Sequence, residues 1–271
     1  MKKIIQVLLT IVVISLLAAC GGKTEGEALS EDKLVVGVTS GPHEETFEFV
    51  KELAAEEGLE LELKVFTDYI MPNTALAEGD IDLNSYQHEP FLLKFNEDHG
   101  TELAAYTQTT LSAIGVYSEK ISSLDDLSKG AKIGIANDPT NGARALIMFE
   151  DAGLITLDTE DKENATVLDI AENELELEFI ELEAAQIPKQ LSEIELGVIN
   201  GNFAIENGLS PKEDSLLSES KDTPFVNILA VREENLNDPV LDKLKEIYQS
   251  KEVAEFILDQ FDGVIVPSWD Y

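Results

Sequence analysis

At 271 residues and 44% hydrophobic content, the chain can build one large packed domain or two small ones, and wholesale disorder is excluded. Its 54 acidic residues outweigh 19 basic ones, giving a formal net charge of -35, which argues against nucleic acid as a partner and speaks for solubility rather than for any particular fold. Cys20 is the only cysteine, which excludes an intrachain disulfide and a zinc-thiolate cluster.

The beginning of the chain reads as an address. Lys2 and Lys3 precede an apolar run through Ala19 that only Gln6, Thr10 and Ser15 interrupt, and LAAC at 17–20 closes it. This pattern resembles a bacterial lipoprotein signal with its lipobox: residues 1–19 are removed, and the thiol of Cys20 takes lipid, so the mature chain is anchored rather than membrane-spanning. The acidic, glycine-containing segment GGKTEGEALSED suits a flexible tether over residues 20–32.

Beyond the tether, strand and helix patterns alternate. KLVVGVT at 33–39 is a β-branched run, and Ser40-Gly41-Pro42 starts a helix that continues through Ala55 and stops near Gly58. A strand is expected at 59–66, then a turn and short helix in MPNTALAEG, then GDIDLNSYQHEPF at 79–91, a short buried strand that runs into a helix with Pro90 at its first position. A second half begins after Thr110. LSAIGVYS reads as a strand, SSLDDLSKG as a short helical connection, and KIGIA at 132–136 as another strand. A helix over 141–152 follows, then strands at 177–182 and 196–199 with a helix at 184–191 between them, a last strand at 225–231, and helices at 239–248 and 251–261. Two α/β halves joined by extended, apolar crossings at 110–116 and 225–231 predict a hinged pair: domain I from residues 33–112 and 227–271, domain II from 113–226, with a ligand cleft between them.

Several side chains are placed to serve such a cleft. Tyr86 and His88 sit at the strand-to-helix turn, where open α/β sheets bind ligands, although a histidine there also suits a helix cap. Phe66 and Tyr69 follow the second strand, and with Tyr86 they offer an aromatic slot suited to a thioether, or simply core. Arg144 is one of only two arginines and is expected in the first turn of the helix beginning near Asn141, where it either grips a carboxylate or bridges to an acidic neighbour. Asn200 and Asn202 end a strand at an Asn-Gly turn. Asn227 interrupts an apolar strand, so its amide needs a backbone or ligand partner.

In the order VFTDYIMPNTALAEGDID, NSYQHEPFL, ANDPTNGARAL, VINGNFA and PFVNILAVRE, these segments resemble the NlpA lipoprotein family, the methionine-binding lipoproteins of ABC importers, over essentially the whole mature chain. The resemblance implies an α/β, two-domain periplasmic-binding-protein fold of type II that closes on L-methionine and delivers it to an ABC permease and its ATPase. It also implies lipid anchorage through Cys20 on the outer face of the cytoplasmic membrane. By match to the family motifs, Arg144 holds the ligand carboxylate, Asn200 and Asn227 bind its polar backbone, and Tyr69, Tyr86 and His88 line the remainder, with Asn202 and Phe66 as further candidates. Ser85 stands where the family usually has an aromatic residue. No catalytic residue, cofactor or resident metal is expected. The rivals are a metal-ion-binding lipoprotein of an importer using His43 and His88, a binder of methionine-containing dipeptides, a lipid-anchored adhesin, and a hydrolase, for which no Gly-x-Ser-x-Gly elbow exists.

Overall fold

The computed structural model describes residues 28–220 and 223–271; the signal segment, Cys20 and the first part of the tether lie outside the described residues. The first layer runs β1 (Lys33–Thr39), α1 (Pro42–Glu56), β2 (Glu60–Phe66), α2 (Met71–Glu78), β3 (Leu83–His88), α3 (Glu89–His99) and β4 (Leu103–Gln108). β1 lies inside the sheet between β2 and β3 and is largely buried, as its β-branched run requires, whereas β2 is an edge strand whose Glu60, Glu62 and Lys64 meet solvent.

The chain then crosses over. β5 (Thr110–Ser112) pairs with the last strand, and after Ala113 the second layer begins with β6 (Ile114–Tyr117), β7 (Lys132–Ala136) and α4 (Pro139–Asp151). It continues through β8 (Thr156–Leu157), β9 (Ile170–Glu172), β10 (Glu178–Leu182), β11 (Leu196–Asn200), α5 (Gly201–Glu206) and β12 (Leu217–Ser218). The return passes into β13 (Asn227–Arg232), α6 (Pro239–Tyr248), α7 (Lys251–Gln260) and β14 (Ile265–Pro267).

The two five-stranded sheets have the same plan. Their orders are β2-β1-β3-β13-β4 and β10-β7-β11-β6-β12. In each, the strand that enters from the crossing is antiparallel to both neighbours, and the pairs on the other side are parallel. Parallel pairing joined by crossover helices sends the carboxyl ends of β3 and β11 to a common edge, where open α/β sheets hold their ligands. A core of Leu34, Val36, Phe47, Val50, Leu241 and Ile257 binds the first sheet to α1, α6 and α7. A separate core built on Ile133, Ile135, Leu146, Phe149 and Val198 serves the second.

The path of the chain departs from the sequence expectations at several places. The strand expected at 111–118 breaks at Ala113, because its first part pairs with β14 and its second with β11. The helix expected at 184–191 is two short 3-10 turns, Ala184–Gln186 and Pro188–Gln190; Pro188 lacks the N–H that a continuous α-helix needs. α4 starts at Pro139 rather than Asn141, since the Asp138 side chain accepts from Asn141 N and caps the helix. Pro90 takes the second position of α3, behind Glu89. The tether is pinned before residue 32: Leu29 is buried in the first core and its N–H donates to Asp238 Oδ2 at 2.9 Å.

Candidate binding cavity

The turn after β3 brings two of the predicted residues into place. His88 caps α3: its Nδ1 accepts from Phe91 N at 3.2 Å. With the lone pair of Nδ1 so used, the ring proton belongs on Nε2, which faces Asn141 Oδ1 across the layers at 3.4 Å. Burial, aided by the nearby Arg144 charge, pushes the imidazole down to about 3, so it stays neutral. The cap and the site therefore use the two nitrogens of one ring. Tyr86 donates from its hydroxyl to the Tyr69 carbonyl at 2.6 Å, which fixes the loop after β2. Tyr69 in turn donates to Asn202 Oδ1 at 2.6 Å and stacks on Phe203. Burial raises the pKa of both tyrosines, keeping their hydroxyls as donors.

From the second layer, Asp138 organises α4. Its carboxylate accepts from Asn141 Nδ2 at 2.9 and 3.1 Å, so the Asn141 amide is turned with Oδ1 facing inward. That single oxygen accepts from Asn200 Nδ2 at 2.9 Å and Arg144 Nη1 at 3.3 Å, besides facing His88. Arg144 lies in the second turn of α4, not the first, and is 2% exposed. Glu219 grips one edge of its guanidinium, with Nε to Oε1 at 3.0 Å and Nη2 to Oε2 at 2.5 Å, and Phe225 stacks beneath it at 4.3 Å. Both alternatives left open by the sequence thus bear on one residue. Arg144 makes a salt bridge, yet these three bonds use three of its five N–H groups and leave two, one on each terminal nitrogen.

These groups surround a cavity of about 340 Å³ of atom-free space, its mouth included. Tyr69, Tyr86 and Phe91 form its aromatic wall, and Arg144, Asn200, Asn202, Asn227 and His88 its polar one. Several polar atoms there have no partner. Asn202 Nδ2 and Ser112 Oγ are buried without a hydrogen bond, and the Asn227 amide bonds to no other described residue. Buried polar groups are rarely left so, and their convergence in one cavity is what a polar ligand would satisfy. Gly201 is required beside them: a Cβ at this position would lie 2.9 Å from the Ala113 carbonyl oxygen and would collide with the Ser112 hydroxyl.

Seven of the eight predicted ligand-binding residues meet at the cavity. Phe66 does not: its ring lies over Gly37 and packs with Leu76 and Ile81 behind the sheet. Ser85 also points away, towards the hydroxyl of Tyr248, so the missing aromatic alters packing behind the wall rather than the wall itself. Sequence reasoning missed Asn141, Gln87, Phe91, Ser112 and Gly201. The ANDPTNGAR segment held a signal for Asn141, because an aspartate cap shortly before a buried asparagine marks a helix start at an open sheet edge.

The NlpA lipoprotein family profile matches residues 34–269. The chain is 39% identical to the D-methionine-binding lipoprotein MetQ of Salmonella typhi, covering 93% of this chain and 93% of that protein. It is 40% identical to the D-methionine-binding lipoprotein MetQ of Escherichia coli K12, over 86% of this chain and 88% of that one. In structure it is similar to a nutrient-binding protein from Burkholderia cenocepacia bound to methionine, with a TM-score of 0.85 and 43% identity, covering 87% of this chain and all of that one, 100%.

Proposed function

The chain belongs to the NlpA lipoprotein family, and from that membership we propose that it captures methionine between its two layers and delivers it to a membrane permease driven by an ATPase. The family is one of binding proteins rather than enzymes. The observation that carries the reading is the pairing of an aromatic wall with converging, unpartnered polar atoms. The thioether packs among Tyr69, Tyr86 and Phe91, where sulfur meets ring edges. The ligand carboxylate takes the two remaining N–H groups of Arg144 and the free Asn202 amide, and its ammonium donates to Asn227 Oδ1. Ligand favours the closed arrangement of residues 33–112 and 227–271 on 113–226, because only closure brings Asn202 and Arg144 to the groups on β3 and β13.

The lipid on Cys20 keeps the protein at the outer face of the cytoplasmic membrane, beside its permease. Among the described residues no helix is long and apolar enough to cross a membrane. A metal-ion cargo is disfavoured by the site's own chemistry: the cation Arg144 stands in the wall, and His88 Nδ1 is committed to capping α3. Native mass spectrometry of gently purified protein tests the reading. A mass excess equal to methionine, exchangeable for added L-methionine and compared with D-methionine, is expected. Absence of any methionine adduct, both as purified and after incubation with either enantiomer, would contradict it.

A further inference from the structure

We infer that Glu219 is a charge filter: by occupying one edge of the Arg144 guanidinium, it obliges any ligand that brings a carboxylate to bring its own positive charge as well. The inference rests on the methionine-binding reading and names the ligand class more closely, as zwitterions. Glu219 is held from several sides. It accepts from Arg144 Nε and Nη2, lies 3.4 Å from the N–H of Ile114 in the crossing strand, and takes a 3.4 Å contact from the Thr223 hydroxyl. The two side chains of the pair are only 2% and 10% exposed.

With Glu219 on the Nε–Nη2 edge and Asn141 Oδ1 on Nη1, one N–H on each terminal nitrogen is left for the ligand. When a carboxylate docks there, one guanidinium faces two carboxylates, and the largely buried group as a whole carries a net negative charge that water screens only weakly. Asp138, buried beside Asn141, adds no compensation, and His88 is neutral. Among the described residues that line the cavity Arg144 is the one cation, so there the ligand's ammonium is the only new positive charge. Without Glu219, Arg144 alone would balance a plain carboxylate, and the filter would open.

Calorimetric titration of methionine and desamino-methionine, the same skeleton without its amino group, tests this in wild type, Glu219→Gln and Glu219→Asp. Wild type should prefer methionine by about 100-fold or more, Glu219→Asp should keep most of that preference, and Glu219→Gln should narrow it by about tenfold or more through improved binding of desamino-methionine. A gain of binding cannot come from misfolding. Wild type that binds desamino-methionine within about tenfold of methionine overturns the inference even if the variants fail to fold. A preference unchanged in folded Glu219→Gln overturns it too, including the case where both ligands gain equally because Glu219 was merely a displaced competitor. Failure of wild type to bind methionine at all removes the functional reading and the inference with it, whereas the other two results remove the inference alone.

Discussion

The Tyr69 hydroxyl donates to Asn202 Oδ1 at 2.6 Å, joining the loop after β2 in the first layer to α5 in the second. Both residues line the cavity, and the bond uses Asn202 Oδ1 while its Nδ2 stays unpartnered. Tyr69→Phe removes a cross-layer tie and strands a buried acceptor, at a cost of about 1 kcal/mol. Methionine affinity should fall about fivefold, as read by calorimetry. An unchanged affinity would mean that this bond does not help hold the closed state.

Asn227 separates binding from folding. Its backbone carbonyl accepts from Thr109 N at 2.8 Å, whereas its side-chain amide has no bond to another described residue. Asn227→Ala should therefore lower methionine affinity by about tenfold while shifting the melting temperature of the ligand-free protein by only a few degrees. The reverse pattern, unfolding without loss of affinity in what remains folded, would make Asn227 a structural residue.

Two histidines give the fold a pH dependence. Burial holds His43 at about 4 and His88 at about 3, below the ordinary 6.5. Below 6.5 the unfolded chain takes up protons that the folded one refuses, so stability falls as pH falls, by about 1.4 kcal/mol per pH unit for each histidine, until the folded values are reached. Urea unfolding between neutral pH and about 5 should show this slope, and His43→Phe should reduce it by one histidine's share. Equal slopes in the two proteins would show that His43 is protonated in the fold.

Anchoring is separable from capture. The first core takes hold of the chain at Leu29, and among the described residues the cavity is lined only from Tyr69 onward. Cys20→Ala should release the protein from membranes in a fractionation assay and leave methionine binding intact. Equal retention of the variant would defeat the lipid-anchor reading.

The β-α order and the junction at β3 were legible because they rest on local rules: β-branched runs, Pro42 and Pro90 in first turns, and a two-residue alternation that ends at Gln87. The same rules put candidate residues near strand ends and helix starts, while the choice of those residues as ligand contacts came from the family resemblance, and seven of them line the cavity. The rules failed where long-range pairing decides. Phe66 sits at the end of β2, but Gly37 on the neighbouring strand makes room for its ring on the far side. Asn141 gains its role only from Asn200 and His88, distant in sequence. Glu219 is one acid among 54, and nothing near it in the chain announces Arg144. The 103–108 strand was unread because LAAYTQ has little alternation; its place is set by pairing with β13.

Arg144 is the residue on which the account turns, because it is the cation that the cavity offers to a carboxylate. Removing it alone would also strand Glu219, so the decisive variant is the double substitution Arg144→Gln with Glu219→Gln, which keeps the buried pair neutral. Calorimetric titration of methionine and methioninamide into wild type and this variant is the measurement. Wild type should bind methionine far more tightly than its amide, and the variant should lose about 2 to 5 kcal/mol of methionine binding and discriminate little between the two ligands. Wild type that binds methionine and methioninamide alike would contradict the role given to Arg144.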